Sequence, residues 1–309
     1  MVDLYCLGGA AVDLILEVPR FPRDGEKLFV HHARQLAGGF IANTACAAAK
    51  LGLHTAWGGL VGGDAFAQTI MRDFELFGVE KSDVVVMEDS STDYTVIILP
   101  SNGERTILIV PILPSPPPLT RSMKQSLKRA RFGYTVFYEQ DWFIDVAQLL
   151  HAGGGKIVVD MEVNTLKNID AAKAMLQYTD IVFSSEEGLR KLTESNSADN
   201  GVEEILSMGP EMVVLTMGSK GAALFTPTAR YSTAVYDVPV RDTTGAGDCF
   251  HAAFLYGILS DWNLQHCLEF ASAAAAILVQ KIGARGGLPT LLEVQNFMKV
   301  NQKKEKKFQ

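Results

Sequence analysis

Residues 242–250 read "DTTGAGDCF" and combine three small residues with two carboxylates. The small residues at 245–247 let several backbone N–H groups approach one point. The apolar residues that follow predict a helix, whose positive end would face the same point. Such a turn favours a bound anion, although Asp242 precedes it and Asp248 closes it.

Outward from this turn, strand-like and helix-like segments alternate along most of the chain. The strand-like "VDLYCLG" is followed by "IANTACAAAKLG", which has helix-forming composition and ends at Gly52. Further strand-like segments are "HTAWGGLVG", "YTVFYE", "KIVVDM", "DIVFSS" and "MVVLTMG". This alternation predicts right-handed βαβ units, and therefore an α/β fold with a mostly parallel sheet covered by helices on both faces. Ligands of such sheets bind beyond the carboxyl ends of the strands.

Two strand-rich stretches interrupt the alternation. They run from "DLILEV" to "KLFVHHA" and along "DYTVIILPSNGERTILIV", where a hairpin turn is predicted at Asn102 and Gly103. Because no helix separates their strands, they cannot be central parallel strands. We expect one domain over residues 1–309, with a small additional sheet from about residues 13–35 and 92–111 that acts as a lid. An antiparallel edge extension without function is the alternative.

The composition is that of a soluble globular protein. The 309 residues are 48% hydrophobic and 20% charged, and the net charge of -7 gives no basic field for nucleic acid or an anionic membrane. The longest apolar run, "FASAAAAILV", is about half of a membrane span. Four scattered cysteines show no zinc-ligand spacing, so we expect reduced thiols and a cytoplasmic protein; they are Cys6, Cys46, Cys249 and Cys267.

Several well-known phosphate-binding motifs are missing from the sequence. There is no G-x-x-x-x-G-K-[ST], which argues against a P-loop NTPase, and no H-R-D with D-F-G, which argues against a eukaryotic type of protein kinase. The first strand ends in "GGAAVD", without the G-x-G-x-x-G spacing of a dinucleotide-binding fold. A different phosphate-handling fold is therefore indicated.

Asp248 stands in the first turn of the predicted helix, close to the position that an anion would take. Backbone donors there can stabilise charge on a transferring phosphoryl group. The carboxylate of Asp248 can accept the proton of an attacking hydroxyl, and we expect the helix N-terminus to keep it ionised at neutral pH. The alternative is an ordinary helix start whose acidic residue favours the dipole.

At this point a resemblance becomes specific. "DTTGAGDCF" looks like the carboxy-terminal signature of the ribokinase-like, or PfkB, carbohydrate kinases, and "AGGFIANTACAAAKLG" looks like their amino-terminal signature. "GGAAVD", "NGERT", "VLTMGSKGAAL" and "GARGGLP" follow the family order, so the likeness covers nearly the whole chain. The resemblance implies a ribokinase-like three-layer αβα sandwich with a mostly parallel central sheet and a small β-sheet lid.

The resemblance also implies roles for individual residues. Asp248 would be the general base, and the anion hole would be formed by Gly245, Ala246 and Gly247. Asp13, Gly39 and Asn43 would bind sugar hydroxyls, a task for which carboxylate and amide groups are suited. Glu139, in "VFYEQ", and Arg105, on the lid hairpin, are further substrate-binding candidates. Arg105 would reach an anionic substituent, and the alternative for each is simple surface exposure.

ATP and Mg²⁺ are the implied cofactors. The candidates for nucleotide binding are Ser185, Thr216, Gly218 and Lys220. The family usually has N-x-x-E where this chain has "FSSEEGLRKLT"; Ser184 with Glu187 preserves the spacing without the Asn, while another alignment places Gly188 at the Glu position. We expect Glu187 to hold Mg²⁺ through water. Asp242 stands where the family binds a monovalent cation such as K⁺, and a turn-capping role is its alternative.

The expected function is ATP-dependent phosphorylation of a primary hydroxyl of a monosaccharide. "SNGERTIL" and "VFYEQ" resemble ketohexokinases, and "GDCFHAAF" and "GARGGLP" resemble the sulfofructose-kinase branch, so a ketohexose is favoured over ribose. A nucleoside kinase of the same fold and a non-catalytic sugar-binding homologue are the alternatives. Sugar and ATP are the expected partners, and exposed lid strands favour a homodimer.

Overall fold

The computed structural model describes residues 1–100 and 105–301 of the chain, so the turn predicted at Asn102 and Gly103 lies outside the described residues. The strands are β1 (Val2–Leu7), β2 (Ala11–Val18), β3 (His32–Gly38), β4 (Thr55–Gly62), β5 (Glu80–Met87), β6 (Tyr94–Pro100), β7 (Thr106–Val110), β8 (Ala130–Thr135), β9 (Lys156–Met161), β10 (Ile181–Ser185), β11 (Met212–Thr216), β12 (Ala222–Phe225) and β13 (Arg230–Thr233). The helices are α1 (Phe40–Leu51), α2 (Ala65–Phe77), α3 (Arg121–Leu127), α4 (Gln140–Ala152), α5 (Ile169–Leu176), α6 (Glu186–Thr193), α7 (Ala198–Ser207), α8 (Ala246–Leu259), α9 (Leu264–Leu278) and α10 (Leu291–Val300).

Within these residues, nine strands form one large sheet in the order β13-β12-β11-β10-β9-β8-β1-β4-β5. The strands from β11 to β5 in this order are parallel, and β12 and β13 add an antiparallel edge. Every residue of β4 is buried, as expected of a parallel strand that is covered on both faces. The mostly parallel sheet predicted from the alternation is confirmed.

Helices cover both faces of the large sheet. One face packs against α1, α2, α8, α9 and α10 through side chains such as Ile41, Phe254 and Phe270. The other face packs against α3 to α7 through side chains such as Phe143 and Leu189. The predicted three-layer αβα arrangement is thus confirmed, and hydrophobic burial on both faces holds it together.

A second, smaller sheet has the order β3-β2-β6-β7 within the described residues. Its strands pair antiparallel within each hairpin, β2 with β3 and β6 with β7, and the parallel pair β2–β6 joins the two hairpins. The register of β2 and β6 places Asp13 opposite Thr95. The two stretches that interrupt the alternation therefore form the small additional sheet that the sequence predicted.

One boundary differs from the sequence prediction. The segment "YTVFYE" was expected to be a strand that ends at Glu139, but β8 ends at Thr135, and Glu139 is the N-cap of α4. Val136 and Phe137 are buried in the connection after β8. Their apolar side chains therefore continue the strand-like sequence pattern past the last residue that pairs in the sheet. The strands β12 and β13, each four residues long, were not predicted.

Among the described residues, no helix combines the length and the apolar character needed to cross a membrane. The four cysteines, all within the described residues, are buried free thiols, as the sequence predicted.

Candidate active site

The turn that starts α8 is built around Gly245. Its φ of 76° and ψ of 4° lie in the left-handed region that glycine adopts without strain. A Cβ atom there would lie 2.7 Å from Cα of Ala284, so the turn also packs directly against the loop after α9. Ala246 donates its N–H to the carbonyl of Thr243, while the N–H groups of Gly247 and Asp248 are in the first turn and have no intrahelical acceptor. These two groups are available to a bound anion.

Asp248 is almost fully buried, with 8% of its surface exposed. Its Oδ2 accepts a hydrogen bond of 2.8 Å from Nδ2 of Asn43. Burial raises the pKa of Asp248 to about 7; the bond from Asn43 and the charge of Arg285 oppose this rise, and the charges of Glu162 and Asp13 add to it. The sequence predicted an Asp248 that is ionised at neutral pH, whereas a pKa of about 7 leaves it only partly ionised there, because desolvation outweighs the bond from Asn43 and the charge of Arg285. A carboxyl that titrates near neutrality is suited to general-base chemistry.

Arg285 bonds to the amide oxygen of Asn43, whose amide nitrogen bonds to Asp248. Its Nε donates to Oδ1 of Asn43 over 2.9 Å, and its Nη2 donates to the carbonyl of Gly38 over 2.9 Å. Its Nη1 donates to Oδ2 of Asp73 over 3.1 Å, and the residue is only 7% exposed. Arg285 stands within "GARGGLP", whose family likeness implied no role for this arginine, and nothing local in the sequence shows that it is buried.

The paired glycines at the start of α1 make room for the carboxylate of Asp13. A Cβ atom on Gly38 would lie 2.3 Å from Oδ2 of Asp13, and one on Gly39, where φ is 87°, would lie 2.8 Å from Cα of Ala10. The Oδ1 of Asp13 accepts a 2.6 Å bond from Thr95, and burial raises the pKa of Asp13. Asn43 bonds to Asp248 and the charge of Asp13 acts on it, so the structure brings these two predicted sugar-binding residues close to the predicted base.

A cavity of about 370 Å³ borders the same turn. Among the predicted nucleotide-binding and anion-hole residues, Thr216, Gly218, Ala246 and Gly247 line it. The rest of its wall is mostly apolar: Ala222, Val235, Tyr236, Val238, Val240, Phe250, Ala275, Ala276 and Val279 contribute, with Ser219, Gly221, Thr243 and Ser272. An apolar space that ends at backbone donors suits a nucleoside carrying phosphates.

Ser185 and Lys220 lie outside the lining of this cavity. The hydroxyl of Ser185 caps α6 by accepting the N–H of Gly188 at 3.1 Å. The Nζ of Lys220 lies 3.1 and 3.2 Å from the carboxylate oxygens of Glu186, and the Lys220 side chain is largely exposed. Each residue has a local partner in the ligand-free chain, so nucleotide binding by them stays a prediction.

Asp242 lies between the small sheet and the loop after α9. Its Oδ1 accepts bonds from the N–H and hydroxyl of Thr244, at 2.9 and 2.7 Å, and its Oδ2 accepts the N–H of Gly283 at 2.8 Å. Burial alone would raise the pKa of Asp242, but these bonds outweigh it and lower the pKa below its usual value. Arg105 reaches the same place: its Nη1 donates to Oγ1 of Thr244 over 2.8 Å and lies 3.5 Å from Oδ1 of Asp242. Arg105 thereby links the small sheet to the turn before α8.

The magnesium candidate Glu187 is exposed in the first turn of α6. A second carboxylate, Glu162, follows β9, and its pKa is raised by burial and by the negative charge of Glu187. The sequence analysis did not identify Glu162. In the described part of the chain, no group of three or more His, Cys, Asp or Glu residues could hold a metal ion by itself. Two carboxylates do suit a magnesium ion that keeps water and phosphate oxygens as further ligands.

Glu139, the last of the predicted substrate-binding residues, is exposed at the start of α4.

Tyr134, Asp160 and His251 form a buried polar network next to the first turn of α8, and no sequence motif indicated it. The hydroxyl of Tyr134 lies 2.9 Å from Oδ2 of Asp160 and 2.9 Å from Nδ1 of His251, which is in α8. Phe183 stacks on His251 with a centroid distance of 4.1 Å. Burial lowers the pKa of His251 to about 3, so its ring is neutral, and burial raises the pKa of Asp160.

The sequence and the fold are similar to those of known proteins. The family described as "pfkB family carbohydrate kinase" matches residues 1–291. The sequence is similar to ribokinase of Arabidopsis thaliana, with 28% identity over 311 residues that cover 96% of this chain and 81% of that protein. Ribokinase of Staphylococcus aureus (strain COL) is 28% identical over 302 residues, which cover 93% of this chain and 97% of that protein. The structure of Arabidopsis thaliana ribokinase complexed with ribose and ATP matches with a TM-score of 0.86 and 28% identity, covering 97% of this chain and 99% of that chain.

Proposed function

Because the chain belongs to the pfkB family of carbohydrate kinases, we propose that it transfers the γ-phosphoryl group of ATP to a primary hydroxyl of a monosaccharide. One observation carries the proposal: the first turn of α8 contributes both to a cavity and to the buried contact with α1. Ala246 and Gly247 line the 370 Å³ cavity, and Asp248, in the same turn, bonds to Asn43. Phosphoryl transfer requires such a meeting point for a nucleotide, an acceptor and donors for the transferring group.

The residues of the turn supply the chemistry. The N–H groups of Gly247 and Asp248 would hold the transferring phosphoryl group, whose charge is distributed over its oxygens. The carboxylate of Asp248 would accept the proton of the attacking hydroxyl, and its pKa of about 7 means that a large fraction is ionised at neutral pH. Asn43 would orient the acceptor sugar and Asp248 together.

Ribose is the first substrate to test. The sequence patterns alone favoured a ketohexose, whereas the curated relatives described above are ribokinases, and one solved structure of such a relative contains ribose and ATP. The carboxylate of Asp13 and the amide of Asn43 suit the hydroxyl groups of either sugar. The relatives therefore favour ribose as the first candidate and leave the ketohexose as the second.

Two cations belong to the proposal. Mg²⁺ would be held near Glu162 and Glu187 through water, where it would neutralise charge on the phosphates. A monovalent cation would bind near Asp242, whose ionised carboxylate already orders the turn through Thr244 and Gly283. Replacement of K⁺ by tetramethylammonium should then lower kcat, and an unchanged kcat would refute the role of Asp242 in cation binding.

The small sheet would serve as a lid and as a surface for self-association. It reaches the turn before α8 through Arg105, so its position depends on contacts at the site. Its edge strand β7 exposes Ile107, Leu108 and Ile109, and exposed apolar edges tend to pair with a second chain. A monomeric mass in solution would refute the proposed homodimer. The cytoplasm is the proposed location, since all four cysteines are free thiols.

The decisive experiment measures sugar-dependent formation of ADP. Ribose, fructose, other pentoses and hexoses, and adenosine are compared at saturating ATP and Mg²⁺, with the Asp248→Asn variant as the negative control. Turnover with one sugar that is lost in the variant supports the proposal. If adenosine outcompetes every sugar, the chain is a nucleoside kinase; sugar binding without ADP formation would instead make it a non-catalytic homologue.

A further inference from the structure

The contact between Asn43 and Asp248 depends on which end of the Asn43 amide faces the carboxylate. The amide has one acceptor end and one donor end, and the carboxylate accepts only from the donor end. In the structure Nδ2 faces Asp248 at 2.8 Å and Oδ1 faces Arg285 at 2.9 Å. A flipped amide would present an oxygen to the carboxylate and lose both bonds.

Arg285 determines this choice because a guanidinium has donors and no acceptor. Its Nε–H can bond only to the oxygen of the amide, which leaves the NH₂ group for Asp248. The guanidinium itself is immobilised by three further contacts: the carbonyl of Gly38, the carboxylate of Asp73 and the ring of Phe74, whose centroid lies 5.9 Å from Cζ. A buried, fully engaged arginine can therefore hold the amide in one orientation.

We propose that Arg285 is a positioning residue for phosphoryl transfer, which acts through Asn43 to fix the carboxylate of Asp248 relative to the acceptor hydroxyl. The inference rests on the proposed kinase function. It extends that function to a residue outside the turn and outside the predicted sugar-binding positions. It also gives the loop after α9 a part in the chemistry, since that loop carries Arg285 and packs Ala284 against Gly245.

The pKa of Asp248 reports the charges around it, so it can reveal the loss of the Arg285 charge separately from a loss of packing. Glu162, just after β9, and Asp13, on β2, face it with negative charge, and Arg285 faces it with positive charge. Asp160, near the end of β9, also interacts with it electrostatically, and burial raises the pKa of Asp160. His251, one turn further along α8, is neutral. Removal of the guanidinium should therefore raise the pKa of Asp248.

The test compares Arg285→Met, Arg285→Lys and the matched control Arg131→Met. Arg131 also bonds to an end of α8, since its Nη2 donates to the carbonyl of Leu259 over 3.3 Å, but it lies far from the site. We expect Arg285→Met to lower kcat about tenfold or more while KM for ATP changes less than about twofold. Arg131→Met should leave both constants unchanged. An unchanged kcat in Arg285→Met would overturn the inference. Arg285→Lys should recover kcat only in part, because an ammonium can donate to Asn43 but lacks the planar fork that also reaches Gly38 and Asp73.

A double-mutant cycle tests the route through Asn43. If Arg285 acts through the amide, Arg285→Met should lower kcat less than about twofold in an Asn43→Ala background. An equal loss in both backgrounds would overturn the inference.

A titration of ligand-free protein separates this inference from the proposed function. Carboxyl ¹³C NMR follows Asp248 in wild type, Arg285→Lys and Arg285→Met, and it remains informative for Arg285→Lys if the methionine variant does not fold. We expect the midpoint of Asp248 to rise in Arg285→Met, to rise less in Arg285→Lys, which keeps the positive charge, and to stay unchanged in Arg131→Met. An unchanged midpoint in Arg285→Met, or in Arg285→Lys if the methionine variant does not fold, would overturn the inference. If wild type turns over no sugar, the kinase proposal is refuted, and with it the positioning role. A midpoint of Asp248 that still rises in Arg285→Met would then show that the contact itself exists.

Discussion

The Nδ2 atom of Asn43 lies 2.8 Å from Oδ2 of Asp248, although 205 positions separate the two residues in the chain. Asn43 is in the first turn and a half of α1, and Asp248 is in the first turn of α8. The N-terminal ends of two helices thus converge on one space, and both contribute positive potential to it. The two stretches that carried the family likeness are therefore parts of a single site.

Replacement of the base should abolish most of the turnover. Asp248→Asn is nearly isosteric but cannot accept the proton, so we expect kcat to fall by about 10²–10⁴-fold. In wild type, kcat/KM should fall as the pH drops below about 7, because protonation of Asp248 removes the base. Both are measured by ADP formation, with the exposed Asp89→Asn as a control that should behave as wild type. Near-normal turnover of Asp248→Asn would reassign the base.

The same substitution should stabilise the fold at high pH. The pKa of Asp248 is about 7 in the folded state and about 3.9 in an unfolded chain, so the folded state binds more protons between these values. Stability therefore decreases as the pH rises through this window. Asp248→Asn should exceed wild type by of order 1 kcal/mol or more at pH 8 and by less at pH 5, as measured by urea unfolding. An equal difference at both pH values would contradict the buried charge.

Alanine at Gly245 should damage both the fold and the turnover. The control Gly154→Ala has nearly the same backbone, φ 77° against 76°, but a Cβ atom at Gly154 would meet nothing within 4 Å. Both variants carry the strain of the left-handed region, about 1–2 kcal/mol. Gly245→Ala adds the contact with Ala284, so it should lose about 1 kcal/mol more in chemical unfolding and lower kcat, while Gly154→Ala keeps its kcat. Equal behaviour of the two variants would show that the turn tolerates displacement.

Filling the cavity should weaken ATP binding selectively. Ala275, on α9, lines the 370 Å³ space, and leucine there would occupy part of it. We expect Ala275→Leu to raise the Kd for ATP about tenfold or more, as measured by calorimetry, with little change for the sugar. The same change at Ala198, exposed at the start of α7, should affect neither ligand. Unchanged ATP affinity in Ala275→Leu would place the nucleotide elsewhere.

The sequence predicted those features that depend on local pattern. The apolar run "KIVVDM" is β9 residue for residue, and the small residues before Asp248 form a turn at a helix start. It could not predict how deeply Asp248 is buried, because burial depends on helices and strands from other parts of the chain. For the same reason the contacts of Arg285 and the network of Tyr134, Asp160 and His251 were not foreseen. Each joins residues that are far apart in sequence and is defined only when the layers pack.

The wide separation of Asn43 from Asp248 and Arg285 matters during protein synthesis. A ribosome delivers the N-terminal residues first, so Asp13 and Asn43 are made long before α8 and the loop after α9. Until those last elements emerge, a nascent chain lacks Asp248, Arg285 and the wall that α9 gives the 370 Å³ cavity. The contact between Asn43 and Asp248 can thus form only near the end of synthesis.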